Sequence, residues 1–135
     1  MRSRKAEKKP VILIGMPACG KSTVGVLLAK RLGYRFVDSD LVIQEREERL
    51  LHEIISTEGT EGFIRIEEAV NCSLGTAADR WVIATGGSAV YSEAAMAHFK
   101  AIGTVVYLQL SYPTVRRRLE QTVEQPEEDL EDRDD

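Results

Sequence analysis

The motif Gly-x-x-x-x-Gly-Lys-Ser at residues 15–22 constrains the fold of this chain more than any other feature. It joins an apolar run at residues 11–14 to a stretch with helical apolar spacing at residues 21–32. The two glycines let successive backbone N–H groups point inward as an anion nest at a helix N-terminus. A lysine there attracts the β- and γ-phosphates of a nucleotide, and a serine hydroxyl suits Mg²⁺. A chance glycine turn is the weaker alternative. The motif therefore predicts a nucleoside triphosphate site formed by Gly15, Ala18, Cys19, Gly20, Lys21 and Ser22.

The two cysteines, Cys19 and Cys72, are too few for a disulfide framework and lack metal-ligand spacing. Cys19 lies near a helix N-terminus, where a thiol pKa falls, so a redox switch on nucleotide binding is conceivable. We favour the simpler interpretation that Cys19 is a small residue tolerated at a variable position of the loop.

Short apolar runs alternate with helical patterns along the rest of the chain, which indicates a parallel sheet covered by helices on both faces. We therefore predict a three-layer α/β fold. The predicted strands cover residues 11–14, 34–37, 81–84 and 104–110, and the predicted helices cover residues 21–32, 41–55, 63–74, 92–100 and 113–121.

Composition and charge narrow the class further. The 135 residues are 43% hydrophobic and 30% charged, which suits one globular domain and excludes a disordered or membrane-spanning chain. No signal peptide is visible in the polar, basic start, so we expect a cytoplasmic protein. Residues 1–9 form a basic tail, residues 10–121 the folded domain and residues 122–135 an acidic tail. The body between the tails is close to neutral, which argues against nucleic-acid binding.

Two short motifs, an acidic pair and a glycine pair, follow predicted strands. Asp38 and Asp40 lie on the same side of an extended segment, beyond the second strand. One carboxylate near a metal and one near an acceptor hydroxyl suit phosphoryl transfer to an alcohol. Alternatively, Asp40 caps a helix that opens at Leu41; the two interpretations of Asp40 stay open, while a metal role is favoured for Asp38. Gly86 and Gly87 end the third strand, where a ligand or a turn would require glycine.

Taken together, these segments resemble the shikimate kinase family. The resemblance is carried by GMPACGKSTVG (15–25), LAKRLGYRFVDSD (28–40), GTEGFIRIEE (59–68), VIATGG (82–87) and VVYL (105–108). It implies a P-loop NTPase fold like that of the nucleoside monophosphate kinases, with five strands in the order 2-3-1-4-5. It also implies an ATP- and Mg²⁺-dependent kinase that phosphorylates a hydroxyl of shikimate.

The resemblance assigns roles to individual residues. Lys21 and Ser22 would contact phosphate and Mg²⁺, and Thr23 would support the loop. Asp38 would hold Mg²⁺ through water, and Asp40 would bind and orient the acceptor hydroxyl. Gly86 and Gly87 would give backbone contacts to the acceptor. One of Arg117 and Arg118 would flank the adenine.

Two substitutions depart from the family pattern. Ile64 stands where the family has an arginine that grips the substrate carboxylate, and Arg65 points about 100° further round the helix. Losing that contact would remove roughly 1.5–3 kcal/mol, so an acceptor without a carboxylate is one interpretation. Compensation by a neighbouring basic residue is weighed equally. Ser88 replaces the third glycine of the family's run, a small change that could add a hydrogen bond.

The third departure is the C-terminal sequence. The family continues with an arginine-bearing lid, a last strand and a helix, whereas residues 120–135 hold nine acids and one arginine. From this we expect a domain without the last strand and lid, and impaired catalysis. A nucleotide-binding module without turnover is the main alternative, and a scaffold acting through the charged tails is a weaker one. The chain is expected to be a monomer or to self-associate weakly through the uncovered sheet edge.

Overall fold

The computed structural model describes residues 8–15 and 20–109. The predicted helix at 113–121, the acidic tail and most of the basic tail lie outside them, as do Ala18, Cys19, Arg117 and Arg118. The described elements are β1 (Val11–Gly15), α1 (Lys21–Leu32), β2 (Arg35–Asp38), α2 (Ser39–Glu47), α3 (Leu51–Cys72), β3 (Trp81–Ala84), a 3-10 turn (Ala89–Tyr91), α4 (Glu93–Ile102) and β4 (Thr104–Leu108).

The described strands form one parallel sheet in the order β2-β3-β1-β4, as the family resemblance implies for the first four strands. Val11 pairs with Val82 on one side and with Thr104 on the other, so β1 lies in the interior of the sheet. Its apolar run suits this position because a strand between two parallel neighbours is covered on both faces. The carboxyl ends of β1, β2 and β3 therefore meet at one edge, next to the start of α1.

Alternate residues of the central strands supply two separate cores, one on each face of the sheet. Ile12, Ile14 and Ile83 pack with Phe99 of α4 on one face. On the opposite face, Leu13 and its neighbours pack against α1. This alternation is the pleat of an extended chain, and it confirms the three-layer α/β arrangement.

The segment after β2 differs from the prediction of one helix over residues 41–55. α2 ends at Glu47, because Glu48 adopts a left-handed conformation (φ 58°), and α3 begins only at Leu51. The turn allows Ile43 of α2 and Ile54 of α3 to pack together in a third cluster with Val70. A continuous helix would project these side chains along one line, so tertiary burial overrides the helical pattern.

α3 continues through the gap between the predicted helices at residues 41–55 and 63–74, but with a kink. Gly59 has φ 79° and ψ 170°, a backbone conformation that side chains rarely tolerate. Beyond the kink, Val70 and Leu74 are buried, as is usual for the apolar side of a helix packed on a sheet. Within the described residues, no helix is both long and apolar enough to cross a bilayer.

Candidate functional site

The nucleotide end of the site is built where α1 begins. Gly20 caps this helix in a left-handed conformation (φ 87°), and no acidic residue lies in the first turn. Lys21 is only 8% exposed, and its Nζ donates a 2.9 Å hydrogen bond to the carbonyl oxygen of Gly15. The ammonium group is thus held beside the N-terminus of α1. The charge of the lysine and the N-terminus of the helix both attract anions. Thr23, by contrast, is exposed in the first turn of α1.

Asp38 links this region to the end of β2. One of its carboxylate oxygens accepts from the backbone N–H of Asp40 at 2.9 Å and so caps α2. The other accepts from the Ser22 hydroxyl at 3.2 Å. Because α2 begins at Ser39, its cap is Asp38, and the alternative that Asp40 caps a helix from Leu41 is wrong. Asp40 lies within the first turn.

The Ser22–Asp38 pair fits a magnesium ion chemically. A hydroxyl and a carboxylate are hard oxygen donors, and Mg²⁺ is commonly held by one or two carboxylates together with substrate phosphates. Among the described residues, no group of three or more His, Cys, Asp or Glu side chains could hold a metal. The pair therefore suits an ion that takes further oxygen ligands from a nucleotide and from water.

Asp40 points toward the same edge of the sheet in a half-buried position. Burial raises the pKa of its carboxyl group above the usual value, and the nearby Asp38 raises it further. Lys21 opposes both by stabilising the carboxylate. Asp40 is thus close to both the metal-type pair and the loop lysine.

A second carboxyl group, Glu67 of α3, reaches this point. It is 3% exposed, and burial raises its pKa; the Ser88 hydrogen bond lowers it, and the charge of Asp40 raises it. A β-carbon added at Gly86 would lie 2.6 Å from Glu67 Oε2 and 2.9 Å from Asp40 Oδ1. Both carboxyl groups therefore lie against Gly86, and only glycine allows them to approach so closely.

Two serines after β3 hold α3 in place. Ser88 donates to Glu67 Oε1, and Ser92 donates to Glu68 Oε2. Ser92 also caps α4 by accepting from the Ala95 N–H. The hydrogen bond that the sequence allows for Ser88 is confirmed. The two bonds fasten α3 to the segment that contains Gly86 and the half-buried Gly87.

The end of β3 is anchored to β1 as well as to α3. The Thr85 hydroxyl donates a 3.0 Å hydrogen bond to the Leu13 carbonyl oxygen, and the Thr85 N–H donates to the same atom at 3.2 Å. Thr85 is buried. Because both bonds fix the residue before Gly86, the backbone of the glycine pair is held relative to the phosphate-loop strand.

Two interpretations follow from Ile64, which stands where the family has an arginine. Either the acceptor carries no carboxylate, or a neighbouring basic residue compensates. Ile64 is 42% exposed and carries no charge. Arg65 is exposed and extends back toward Gly62. Since residues two apart on a helix lie on nearly opposite sides, Arg65 does not share the direction of Glu67. Compensation for Ile64 by a neighbouring basic residue stays a prediction.

Glu67 is the functional candidate to which the sequence analysis gives no role. A signal for it was present: Glu67 is three residues before Val70 and seven before Leu74, so it lies on the apolar stripe of the helix. A glutamate at such a position is rarely buried without a partner. The partner, Ser88, is 21 residues away in the sequence.

Comparisons with known proteins agree with the geometry. A family model described as Shikimate kinase matches residues 17–134. Shikimate kinase 2 of Yersinia pseudotuberculosis serotype O:3 (strain YPIII) is 40% identical over 118 residues, which cover 87% of this chain. Shikimate kinase 2 of Pectobacterium carotovorum subsp. carotovorum (strain PC1) is 38% identical over 112 residues, 83% of this chain. The chain spans 65% and 64% of the length of these two relatives.

Solved structures of similar fold carry the same description. Shikimate kinase from Acinetobacter baumannii in complex with shikimate has a TM-score of 0.73 and 31% identity, covering 95% of this chain and 69% of that one. Shikimate kinase from Aquifex aeolicus vf5 has a TM-score of 0.68 and 33% identity, covering 78% and 62%.

Proposed function

The chain belongs to the shikimate kinase family, and from this membership and the geometry of the site we propose that it is an ATP-dependent phosphotransferase. The acceptor is a hydroxyl group of shikimate or of a related small molecule. The observation that carries the proposal is the convergence of Lys21, the Ser22–Asp38 pair and Asp40 at one edge of the sheet. This edge lies beyond the carboxyl ends of parallel strands, where such folds bind ligands.

On the nucleotide side, the residues position phosphate groups. The loop at residues 15–22, which includes Ala18 and Cys19, would direct its backbone N–H groups at the phosphates, and Lys21 would place its charge beside them. Ser22 and Asp38 would hold Mg²⁺, which neutralises charge on the phosphates when it is bound. Thr23 would support the loop, and Arg117 would flank the adenine.

On the acceptor side, Asp40 would accept a hydrogen bond from the reacting hydroxyl and take its proton as the γ-phosphoryl group is transferred to oxygen. A pKa above the ordinary aspartate value suits that role, because the carboxylate then holds a proton more readily. Gly86 and Gly87 would offer backbone contacts to the acceptor, and the Ile64 position would border it.

The wider assignments follow the same proposal. Residues 10–121 would form the kinase domain between two charged tails, and the partner would be a small molecule rather than nucleic acid or a membrane. A cytoplasmic monomer, or weak self-association through the sheet edge, stays a prediction. So does the impairment expected from the C-terminal sequence.

Release of ADP by the 135-residue chain, with ATP and Mg²⁺ and with or without shikimate, tests the proposal. We expect shikimate to accelerate release. Asp40→Asn should lower acceptor-dependent release by roughly 10²–10⁴-fold, since a positioned general base contributes about that much. ATP affinity should be retained in this variant.

The exposed Glu45→Gln substitution on the same helix, α2, is the matched control and should leave ADP release unchanged. ATP binding with no acceleration by shikimate would favour the alternative of a nucleotide-binding module without turnover, or a different acceptor. Equal acceptor-dependent rates in Asp40→Asn and the unmodified chain would contradict the role of Asp40.

A further inference from the structure

We propose that Ser88 is a positioning residue for the acceptor: its hydrogen bond to Glu67 holds the backbone of Gly86 and Gly87 in the form that binds the acceptor. The inference rests on the proposed function, which assigns acceptor contacts to this glycine pair. Ser88 stands where the family has a glycine. The serine therefore adds a side-chain contact at the acceptor edge that a glycine in its place could not make.

The glycine pair is anchored on both of its sides. Before the pair, Thr85 donates its hydroxyl and its N–H to one carbonyl oxygen of β1. After the pair, Ser88 donates to Glu67 Oε1 and so ties the segment to α3. Glycine loses more conformational freedom on ordering than any other residue. Because the second anchor restricts the pair before an acceptor arrives, it lowers the entropy that binding must remove.

The turn after the glycine pair transmits the position of the serine to Gly86. Ser88 has φ −96°, in the negative range that L residues adopt. Its carbonyl oxygen accepts from the Tyr91 N–H at 3.1 Å, and the Ala89 N–H donates to the Gly86 carbonyl oxygen at 3.3 Å. The serine and the first glycine therefore belong to one hydrogen-bonded turn, and a shift of Ser88 moves both.

The partner of Ser88 contacts the glycine pair as well. Glu67 is 3% exposed, and its second oxygen, Oε2, would lie 2.6 Å from a β-carbon added at Gly86. One carboxyl group thus touches both ends of a short segment, Ser88 through Oε1 and Gly86 through Oε2. In a poorly solvated position, loss of the serine hydroxyl leaves Oε1 without this donor, which is costly. We therefore expect loss of the bond to displace the carboxyl group and the glycine turn together.

A second serine–glutamate bond joins the same helix to the same part of the chain and provides a matched control. Ser92 donates to Glu68 Oε2, and it also caps α4. It lies on the far side of the 3-10 turn from Gly86. Ser92→Ala therefore removes a bond of the same kind together with a helix cap, without altering the contacts of the glycine pair.

Calorimetric titration of shikimate into the 135-residue chain, with a non-hydrolysable ATP analogue and Mg²⁺ present, measures the acceptor affinity. We expect Ser88→Ala to weaken shikimate binding about tenfold, the size of one lost hydrogen bond to a carboxyl group. The affinity for the ATP analogue should not change, because the phosphate side is built on α1 and β2. Ser92→Ala should lower the stability of the fold but keep the shikimate affinity of the unmodified chain.

A double-mutant cycle tests whether the two side chains act through their shared bond. Glu67→Ala should weaken shikimate binding at least as much as Ser88→Ala, and the double variant should bind no more weakly than Glu67→Ala alone. Glu67→Gln keeps an oxygen that accepts from Ser88, so it should recover most of the affinity that Glu67→Ala loses. A general loss of stability would not produce this recovery together with intact binding in Ser92→Ala.

The outcomes separate the inference from the proposed function. Equal shikimate affinity in Ser88→Ala and the unmodified chain, an equal loss in Ser92→Ala, or additive effects in the cycle would each overturn the positioning role and leave the proposed function intact. Absence of shikimate binding by the unmodified chain would overturn both.

Discussion

At the scale of single residues, the acidic side of the site depends on two carboxyl groups, Asp40 and Glu67, whose ionised forms are disfavoured by burial. Burial raises the pKa of both Asp40 and Glu67, and the charge of Asp40 raises the pKa of Glu67 further. Keeping such a pair in the folded protein opposes stability when both are ionised. A pair that opposes stability and lies at a ligand-binding edge is better explained by function than by folding.

Glu67→Gln should therefore change how stability depends on pH. The folded protein holds the Glu67 proton to a higher pH than the unfolded chain, whose ordinary value is near 4.5. Stability from this group is fully present below that value and is lost as the pH rises through the raised pKa. The unmodified chain should exceed Glu67→Gln in free energy of unfolding by the largest amount near pH 4. This difference should disappear as the pH rises toward about 8.

Urea denaturation of both proteins across this pH range measures the difference in free energy of unfolding. Glu61→Gln, on the solvent side of α3, shows the general effect of removing one carboxylate from the helix. A difference between the unmodified chain and Glu67→Gln that grows with pH in favour of the unmodified chain would contradict the assigned pKa direction.

At the scale of elements, the α2–α3 turn determines how the acceptor side is assembled. Arg49, in this turn, forms ion pairs with Glu47 at 2.9 Å and with Glu58 at 3.4 Å, so it ties the end of α2 to the segment before the Gly59 kink. The Leu50 N–H donates to Glu53, which caps the start of α3. These are exposed or half-exposed contacts, so the apolar cluster of Ile43 and Ile54 supplies most of the stabilisation.

Glu48→Gly should stabilise this turn. Glu48 has φ 58° and is exposed, and a side chain in the left-handed region costs roughly 1–2 kcal/mol, which glycine avoids at some expense in chain entropy. The expected gain in free energy of unfolding is up to about 1 kcal/mol. Thermal or urea denaturation measures it. Glu48→Ala keeps the β-carbon and serves as the control; an equal gain in both variants would contradict the backbone explanation.

At the scale of the whole molecule, the sheet brings together residues that are far apart in the sequence. The parallel register places Asp38 opposite Ala84, so the ends of β2 and β3 lie side by side. β1 brings Gly15 to the same edge, and α3 adds Glu67 from outside the sheet. The geometry of the site therefore depends on the core that holds α3, α4 and the sheet together.

Phe99→Ala should show how much of the stability depends on that core. The Phe99 side chain is fully buried among Ile12, Ile83 and Ala95, so its removal leaves a cavity and should cost about 3–5 kcal/mol. Tyr91→Ala removes an aromatic ring that is 83% exposed and should change stability by less than about 0.5 kcal/mol. Urea denaturation compares the two; similar midpoints would show that the core is not where the structure places it.

The sequence by itself determined the local features, because they depend on neighbouring residues. The helix over Lys21–Leu32 and the strand over Trp81–Ala84 have the predicted bounds, since periodicity and glycine positions specify them directly. The phosphate-loop candidates and the Asp38–Asp40 pair were likewise visible as short motifs. Their roles remain proposals.

Only the tertiary structure decided the features that depend on distant contacts. It placed the turn at Glu48, because burial of Ile43 against Ile54 outweighs the helical propensity of residues 41–55. It made Asp38 rather than Asp40 the cap of α2. It also brought Glu67 to Gly86, because the bond from Ser88 and the packing of α3 on the sheet act across a separation that no local pattern encodes.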